Sequence, residues 1–145
     1  MDLLDANILI GAFRRDSAEH PVLKRYLERQ LATGGWVTFP VMVEATFLRI
    51  VTHPKVFREP SRFNEARKFL DAIFASGGFR EPKWTARTRE QWREWCESLS
   101  LSGNDVNDAL LAALASEHGY RLVSCDEGFS RFRGVAWWNP LHPAT

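Results

Sequence analysis

Four carboxylates fall where an α/β chain turns from one element to the next. Asp5 closes the apolar stretch Met1–Leu4, and Glu44 lies four residues into an apolar segment opened by Pro40. Asp108 lies just inside the run Val106–His118, and Asp126 follows the stretch Tyr120–Cys125. Asp5 and Asp126 also read as turn or cap residues, and Asp108 as the third position of a capping box begun by Asp105. Glu44 resists that reading. At helical spacing its neighbours are Val41, Leu48 and Val51, an apolar face where an unpaired carboxylate is costly. Asp108 likewise shares a face with Leu111, Ala112 and Ala115, so each acid needs a cation, a basic partner or a raised pKa.

If the four gather, at an effective dielectric of about 20 each pair ~5 Å apart repels by roughly 3 kcal/mol. A divalent cation removes that cost, and an oxygen-only set selects Mg²⁺ or Mn²⁺. Zinc is disfavoured because there is no H-E-x-x-H motif and no Cys/His cluster. His20, His53, His118 and His142 are scattered, and Cys96 and Cys125 form no C-x-x-C pair and read as free thiols. Carboxylate-held Mg²⁺ is the usual device for phosphodiester hydrolysis. No serine or cysteine shows a base partner that would make it a nucleophile.

The elements that must position these acids alternate. Short strands are expected at Met1–Leu4, Trp36–Phe39, Phe79–Trp84, Tyr120–Cys125 and Val135–Trp138. Helices are expected after Pro21 to Gly34-Gly35, from Val41 to about Thr52, and after Ser61 to Gly77-Gly78. Further helices follow a capping box Thr88-x-x-Gln91, and run over Val106–His118 to Gly119, with Asp16 and Ser17 as cap candidates for the first. Strands separated by helices imply an α/β fold with a parallel sheet covered on both faces, which binds ligands at the carboxyl ends of its strands. All four acids belong to that rim.

The chain has 145 residues, the size of one domain spanning 1–145. Its 45% apolar and 26% charged content excludes a disordered chain. No apolar run approaches the ~18 residues of a membrane span, and the start Met1-Asp2-Leu3-Leu4-Asp5 lacks the basic opening of a signal peptide. A cytoplasmic protein with no membrane partner is expected. Net charge is +1, which argues against avid passive binding of nucleic acid. Setting the four site acids aside, however, leaves 14 acids against 19 bases, 15 of them arginine. A metal-filled acidic pocket on a moderately basic body suits a polyanionic substrate.

These residues resemble the PIN-domain ribonucleases, and within them the VapC-like toxins of type II VapBC toxin–antitoxin systems. The resemblance runs through L-L-D-A-N-I-L-I at Leu3–Ile10, V-E-A-T at Val43–Thr46 and G-N-D-V-N-D-A-L-L-A-A-L-A at Gly103–Ala115. It continues through E-H-G-Y-R-L-V-S-C-D at Glu117–Asp126 and F-S-R-F-R-G-V-A-W-W-N-P at Phe129–Pro140. It implies a Rossmann-like three-layer sandwich and an Mg²⁺- or Mn²⁺-dependent endoribonuclease leaving a 5′-phosphate and a 3′-hydroxyl. It makes Asp5, Glu44, Asp108 and Asp126 the acidic quartet, with Asn7, Ser124 and Asp105 as its supporting shell. It also implies an RNA substrate, a homodimer and a VapB-like antitoxin that inserts a segment near the site. Phe13, Tyr26 and Phe47 are candidate antitoxin contacts. One position departs from the family, which often carries a second acid where Gly128 stands, so one metal is expected and a second stays open.

The densest basic stretch, Arg80, Lys83, Arg87, Arg89 and Arg93, reads either as a solvated face or as a phosphate track, with Arg80, Lys83 and Arg87 the candidate RNA contacts. Trp92 and Trp95 read as core or interface, with base stacking the sharper alternative. Two rival functions share some of these features. A phosphotransfer domain with Asp5 as nucleophile lacks the second acid of a D-x-D motif at Asp5-Ala6-Asn7. A catalytically inactive PIN-like RNA-binding or interaction module is the stronger rival, and RNA cleavage with and without metal separates it from the enzyme.

Overall fold

A computed structural model describes residues 1–142; Pro143, Ala144 and Thr145 of the expected 1–145 domain lie outside the described residues. Strand β1 (Asp2–Leu4) leads directly into helix α1 (Ala6–Phe13), followed by α2 (His20–Ala32), β2 (Val37–Thr38), α3 (Val41–Val51) and α4 (Phe63–Ala75). Then come α5 (Ala86–Ser98), α6 (Asp105–His118), β3 (Arg121–Val123), a 3-10 turn over Glu127–Arg131 and β4 (Trp137–Trp138). The four strands form one parallel sheet in the order β2-β1-β3-β4, with Leu3 opposite both Thr38 and Leu122 and Val123 opposite Trp138. The α/β reading holds, and the short strands are buried because helices cover the sheet. Among the described residues no helix is long and apolar enough to cross a membrane.

Helix α1 is one the sequence does not announce. It packs on both α2 and α3 and has no exposed residue from Ala6 to Phe13, so no amphipathic period shows. It packs so closely on α2 that a Cβ at Gly11 would lie 2.3 Å from Leu23 Cδ1. Helix α6 is nearly as buried and ends at Gly119, which adopts the left-handed conformation (φ 67°) that stops a helix cheaply only as glycine.

Several local expectations are corrected. Phe79–Trp84 is not a strand: Phe79 makes one isolated parallel bridge to Val37, and Pro82, which has no N–H, follows two residues after Arg80 donates to the Val37 carbonyl. The capping box of α5 is Thr85 with Thr88, one turn earlier than Thr88 with Gln91, and both hydroxyls donate to Glu117 on α6. Ser61 does not cap α4, which starts after Arg62; its hydroxyl accepts from Arg14, a buried guanidinium that also takes Asp16 and the Glu59 carbonyl. Asp16 is thereby used by Arg14, and Ser17 bonds Glu19, so α2 begins without a side-chain cap but with Pro21 in its first turn. Asp105 is the first residue of α6 and does not cap it.

Candidate functional site

The site starts from two neighbouring strand ends. Strands β1 and β3 stop at Leu4 and Val123, and the Asp5 amide donates to the Val123 carbonyl at 3.0 Å, holding Asp5 beside Ser124. Asp5 then caps α1, with Oδ1 accepting from the Ala6 amide at 2.8 Å. Its Oδ2 accepts the Ser124 hydroxyl at 2.7 Å and Asn7 Nδ2 at 3.3 Å. Ser124 is fully buried, and its Oγ also accepts from Asn7 Nδ2 (3.1 Å) and the Asp126 amide (3.0 Å), which uses the full capacity of a hydroxyl. Asn7 Oδ1 accepts from the Cys125 amide at 3.2 Å. Asn7 and Ser124 thus form a built support around Asp5.

Asp126 is exposed and caps the 3-10 turn, Oδ1 accepting from the Gly128 amide at 2.8 Å. The second acid that the family often carries where Gly128 stands would have little room here: a Cβ at Gly128 would lie 3.0 Å from Asp126 Oδ1. Asp108 enters from α6 and is 8% exposed. Burial pushes its carboxyl up to about 6, the charges of Asp5 and Asp126 push the same way, and Arg131 opposes them. Burial also raises Asp5, against the Ser124 and Ala6 hydrogen bonds, and Asp126 adds to the rise.

Arg131 is the residue that sequence reasoning missed. Its Nη2 lies 3.3 Å from Asp105 Oδ1 and 3.5 Å from Asp108 Oδ2. The available signal was its place in Phe129-Ser130-Arg131-Phe132, five residues beyond Asp126 in a chain turning back along the rim.

Asp5, Asp108 and Asp126 therefore act on one another, with Asp105 at the margin. Glu44 is placed differently. It is half-buried, its carboxyl is raised first by burial, and the charges that raise it further are Glu81 and Asp71. Among the described residues no three acidic, histidine or cysteine side chains already converge into a ready cation cage. The donor set is nonetheless all carboxylate oxygen, and like charges on the rim raise the proton affinity of Asp5 and Asp108, which is the imbalance a hard divalent cation corrects.

The basic stretch lies elsewhere. Arg80 stacks over Trp36, 3.5 Å from the ring centroid, and donates to the Gly77 and Phe79 carbonyls, at the amino end of β2. The Lys83 carbonyl meets His118 Nε2 at 2.6 Å, and Arg87 acts on Glu117. Both sit by the far end of α6, about 15 Å along that helix from Asp108 at ~1.5 Å per residue. Trp92 donates to the Val106 carbonyl and Trp95 packs on Phe132, so both serve packing. Burial pushes the Cys125 thiol up to about 11, keeping it protonated.

A groove of about 830 Å³ opens between α1, α2 and α4, lined by Phe13, His20, Lys24, Leu27, Lys68 and Phe69. Of the candidate partner contacts only Phe13 lines it. Phe47 is buried beneath Phe13 and Phe69, and Tyr26 donates to Asp2 at 2.6 Å and packs on Trp138.

The PIN domain model matches residues 3–135. Ribonuclease VapC31 of Mycobacterium tuberculosis is 36% identical over 140 residues, covering 97% of this chain and 99% of that protein. Ribonuclease VapC43 of the same organism is 34% identical over 142 residues, covering 98% and 97%. Two solved structures share the fold. VapBC2 from Rickettsia felis bound to a promoter DNA fragment has a TM-score of 0.68 at 19% identity, covering 95% and 97% of the chains. Mycobacterium tuberculosis VapC20, a sarcin-ricin loop cleaving toxin, has a TM-score of 0.68 at 20% identity, covering 94% and 98%.

Proposed function

The chain belongs to the PIN-domain family, and from that premise we propose that it is a VapC-type toxin, a metal-dependent endoribonuclease paired with a VapB-like antitoxin. The observation that carries the chemistry is that Asp5 and Asp126, just past β1 and β3, and Asp108, in the first turn of α6, share one rim where the charges of Asp5 and Asp126 act on Asp108, with Asp5 held by Ser124. The relatives at 34–36% identity over nearly the whole chain are named ribonucleases, which supports the same reading.

Asp5, Asp108 and Asp126 fit Mg²⁺ or Mn²⁺, and Glu44 is assigned to complete the set. The ion supplies charge neutralisation at the phosphodiester and makes a bound water more acidic. The protein's own groups do the rest. Ser124 and Asn7 fix Asp5 in one orientation, so no reorganisation is needed when substrate arrives. Asp126 commits Oδ1 to the Gly128 amide, while among the described residues its Oδ2 accepts no hydrogen bond, so Oδ2 takes the proton of the attacking water. In-line hydrolysis then leaves a 5′-phosphate and a 3′-hydroxyl. The antitoxin segment docks in the groove lined by Phe13, Leu27 and Phe69, whose rim carries charges of both signs, and the toxin forms a homodimer.

One observation favours a binding-only module instead: Arg131 already neutralises part of the rim. Incubation with single-stranded RNA separates the readings. Cleavage is expected in Mg²⁺ or Mn²⁺, is abolished by chelator, and falls at least 100-fold in Asp5→Asn and Asp108→Asn. Cleavage that persists in chelator, or none with either metal across varied RNAs, overturns the enzyme reading.

A further inference from the structure

Arg131 is tethered in a way that Arg121 and Arg14, two other ion-paired guanidiniums of this protein, are not. Arg121 closes a full fork on Asp2, at 2.9 and 2.7 Å, and Arg14 closes one on Asp16, at 2.9 and 2.5 Å. Arg131 instead reaches two carboxylates with one nitrogen, Nη2, at 3.3 Å from Asp105 and 3.5 Å from Asp108. Both are longer than the 2.7–2.9 Å usual for a charge-assisted bond. Its Nε is buried with no partner. Its Nη1 lies 3.9 Å from where a Cβ on Gly128 would stand, and that same point is 3.0 Å from Asp126 Oδ1. Gly128 therefore puts no side chain into the narrow gap between the guanidinium and Asp126. The side chain is 32% exposed, so its head reaches solvent at the mouth of the rim, with the Phe132 ring 5.0 Å behind it.

The charges around it set its use. Four carboxylates, Asp5, Asp105, Asp108 and Asp126, and one guanidinium, Arg131, make up the rim. An RNA phosphate repelled by that surplus of negative charge needs both a metal and a fixed cation to approach. A guanidinium with unspent donors and a planar fork is the side chain suited to two phosphate oxygens.

Resting on the nuclease reading above, we propose that Arg131 is the site's own phosphate-binding residue: a guanidinium parked loosely on Asp105 and Asp108 in the free rim, released from Asp108 when a divalent cation binds, and then engaged with a non-bridging oxygen of the RNA phosphate. In its parked position it competes with the cation, and in its released position it holds substrate.

The two positions predict opposite changes in two bindings. Mn²⁺ affinity is measured by calorimetry for the wild type, Arg131→Gln, Arg131→Lys and Asp108→Asn. Affinity for a labelled mixed-sequence single-stranded RNA is measured by fluorescence anisotropy in Ca²⁺, with RNA integrity checked on a gel. Arg131→Gln is expected to bind Mn²⁺ at least fivefold more tightly and RNA at least tenfold more weakly. Arg131→Lys keeps the charge and loses the fork, so its Mn²⁺ affinity stays within twofold of wild type while its RNA affinity falls at least threefold. Arg131→Gln changing neither affinity, or weakening both, overturns the proposal. Should Arg131→Gln fail to fold by circular dichroism, wild-type RNA affinity in Arg131→Lys overturns it. Asp108→Asn marks the other failure: if it binds Mn²⁺ as wild type does, the metal-nuclease reading itself is wrong, whereas weakened Mn²⁺ binding there with no change in the Arg131 variants sinks only the role of Arg131.

Discussion

Ser124 Oγ donates to Asp5 Oδ2 at 2.7 Å, joining residues 119 positions apart that sit just past two adjacent strands. The same oxygen accepts from Asn7 and from the Asp126 amide, so one buried hydroxyl sets the orientation of Asp5 and the start of the turn that carries Asp126. Ser124→Ala removes the donor to Asp5 and leaves the Asp126 amide unpaired. Supporting groups of this kind are worth 10- to 100-fold in metal affinity or activity. RNA cleavage by Ser124→Ala is expected to fall by about that factor, and the urea midpoint to drop by about 1–2 kcal/mol in stability. A wild-type cleavage rate in this variant would show that Asp5 needs no such support.

Asp108 makes the stability of the metal-free protein depend on pH in an unusual direction. Its folded pKa of about 6 lies above the ordinary carboxylate value, so its ionised form is the costly one. The cost is fully present above pH 6 and disappears as pH falls toward 4. Asp108→Asn has no such cost. In chelator at pH 7.5 it is expected to be more stable than wild type by about 1–2 kcal/mol, after allowing for water at the rim, with the gap closing below pH 5. Thermal melts at pH 4.5 to 8 check this, and a gap that widens on acidification contradicts it. Added Mg²⁺ should reverse the order at pH 7.5.

At the amino ends of the two central strands, Asp2 is 3% exposed and receives both nitrogens of the Arg121 fork as well as the Tyr26 hydroxyl. Burial and the Asp2 carboxylate both raise the Tyr26 pKa, so Tyr26 stays a donor. Arg121→Gln leaves a buried carboxylate with the tyrosine alone, and because Arg121 is itself 43% exposed the expected loss is about 2 kcal/mol, below that of a fully buried pair. Arg121 also covers Trp138 at 4.3 Å, so the indole becomes wetter. Urea unfolding followed by tryptophan fluorescence is the measurement; a loss under about 1 kcal/mol would show that water replaces the guanidinium freely.

The parts of this molecule legible in its sequence are those whose signals are local. Helices α2, α3 and α6 announce themselves through apolar spacing and through Pro21, Pro40 and Gly119 at their ends. Asp5, Asp108 and Asp126 follow from connectivity, because a parallel sheet delivers the ends of β1 and β3 and the start of α6 to one rim. Helix α1 does not show because it is buried on nearly every side. Arg80, Lys83 and Arg87 look like one basic track because they are close in sequence, yet the chain carries them along α6 away from Asp108, and Trp36 and the Gly77 and Phe79 carbonyls occupy Arg80. Arg131 stays hidden for the converse reason: its contact with Asp105 and Asp108 exists only once the 3-10 turn has folded the chain back.

Glu44 and Asp108 should separate under mutation although both are assigned to the same metal set. Asp108 feels Asp5 and Asp126 across the rim, whereas the charges on Glu44 come from Glu81 and Asp71. Neutralising Asp108 removes a carboxylate that already feels Asp5 and Asp126 across the rim, and cleavage should fall at least 100-fold. Neutralising Glu44 removes one that must first turn toward that rim, working against burial and two like charges beside it. Glu44→Gln is therefore expected to lower cleavage about 10-fold, with most of the loss recovered by raising Mn²⁺, and to leave folding stability unchanged or a few tenths of a kcal/mol higher, the scale of a relieved like-charge contact. Glu81→Gln tests the cause: relieving one of the two repulsions leaves Glu44 more easily ionised, so this variant should reach half-maximal activity at a changed Mn²⁺ concentration with its maximal rate intact. Metal titrations of the cleavage rate in the three variants check the order, and equal, unrecoverable losses in Glu44→Gln and Asp108→Asn would place Glu44 alongside Asp5, Asp108 and Asp126 from the outset.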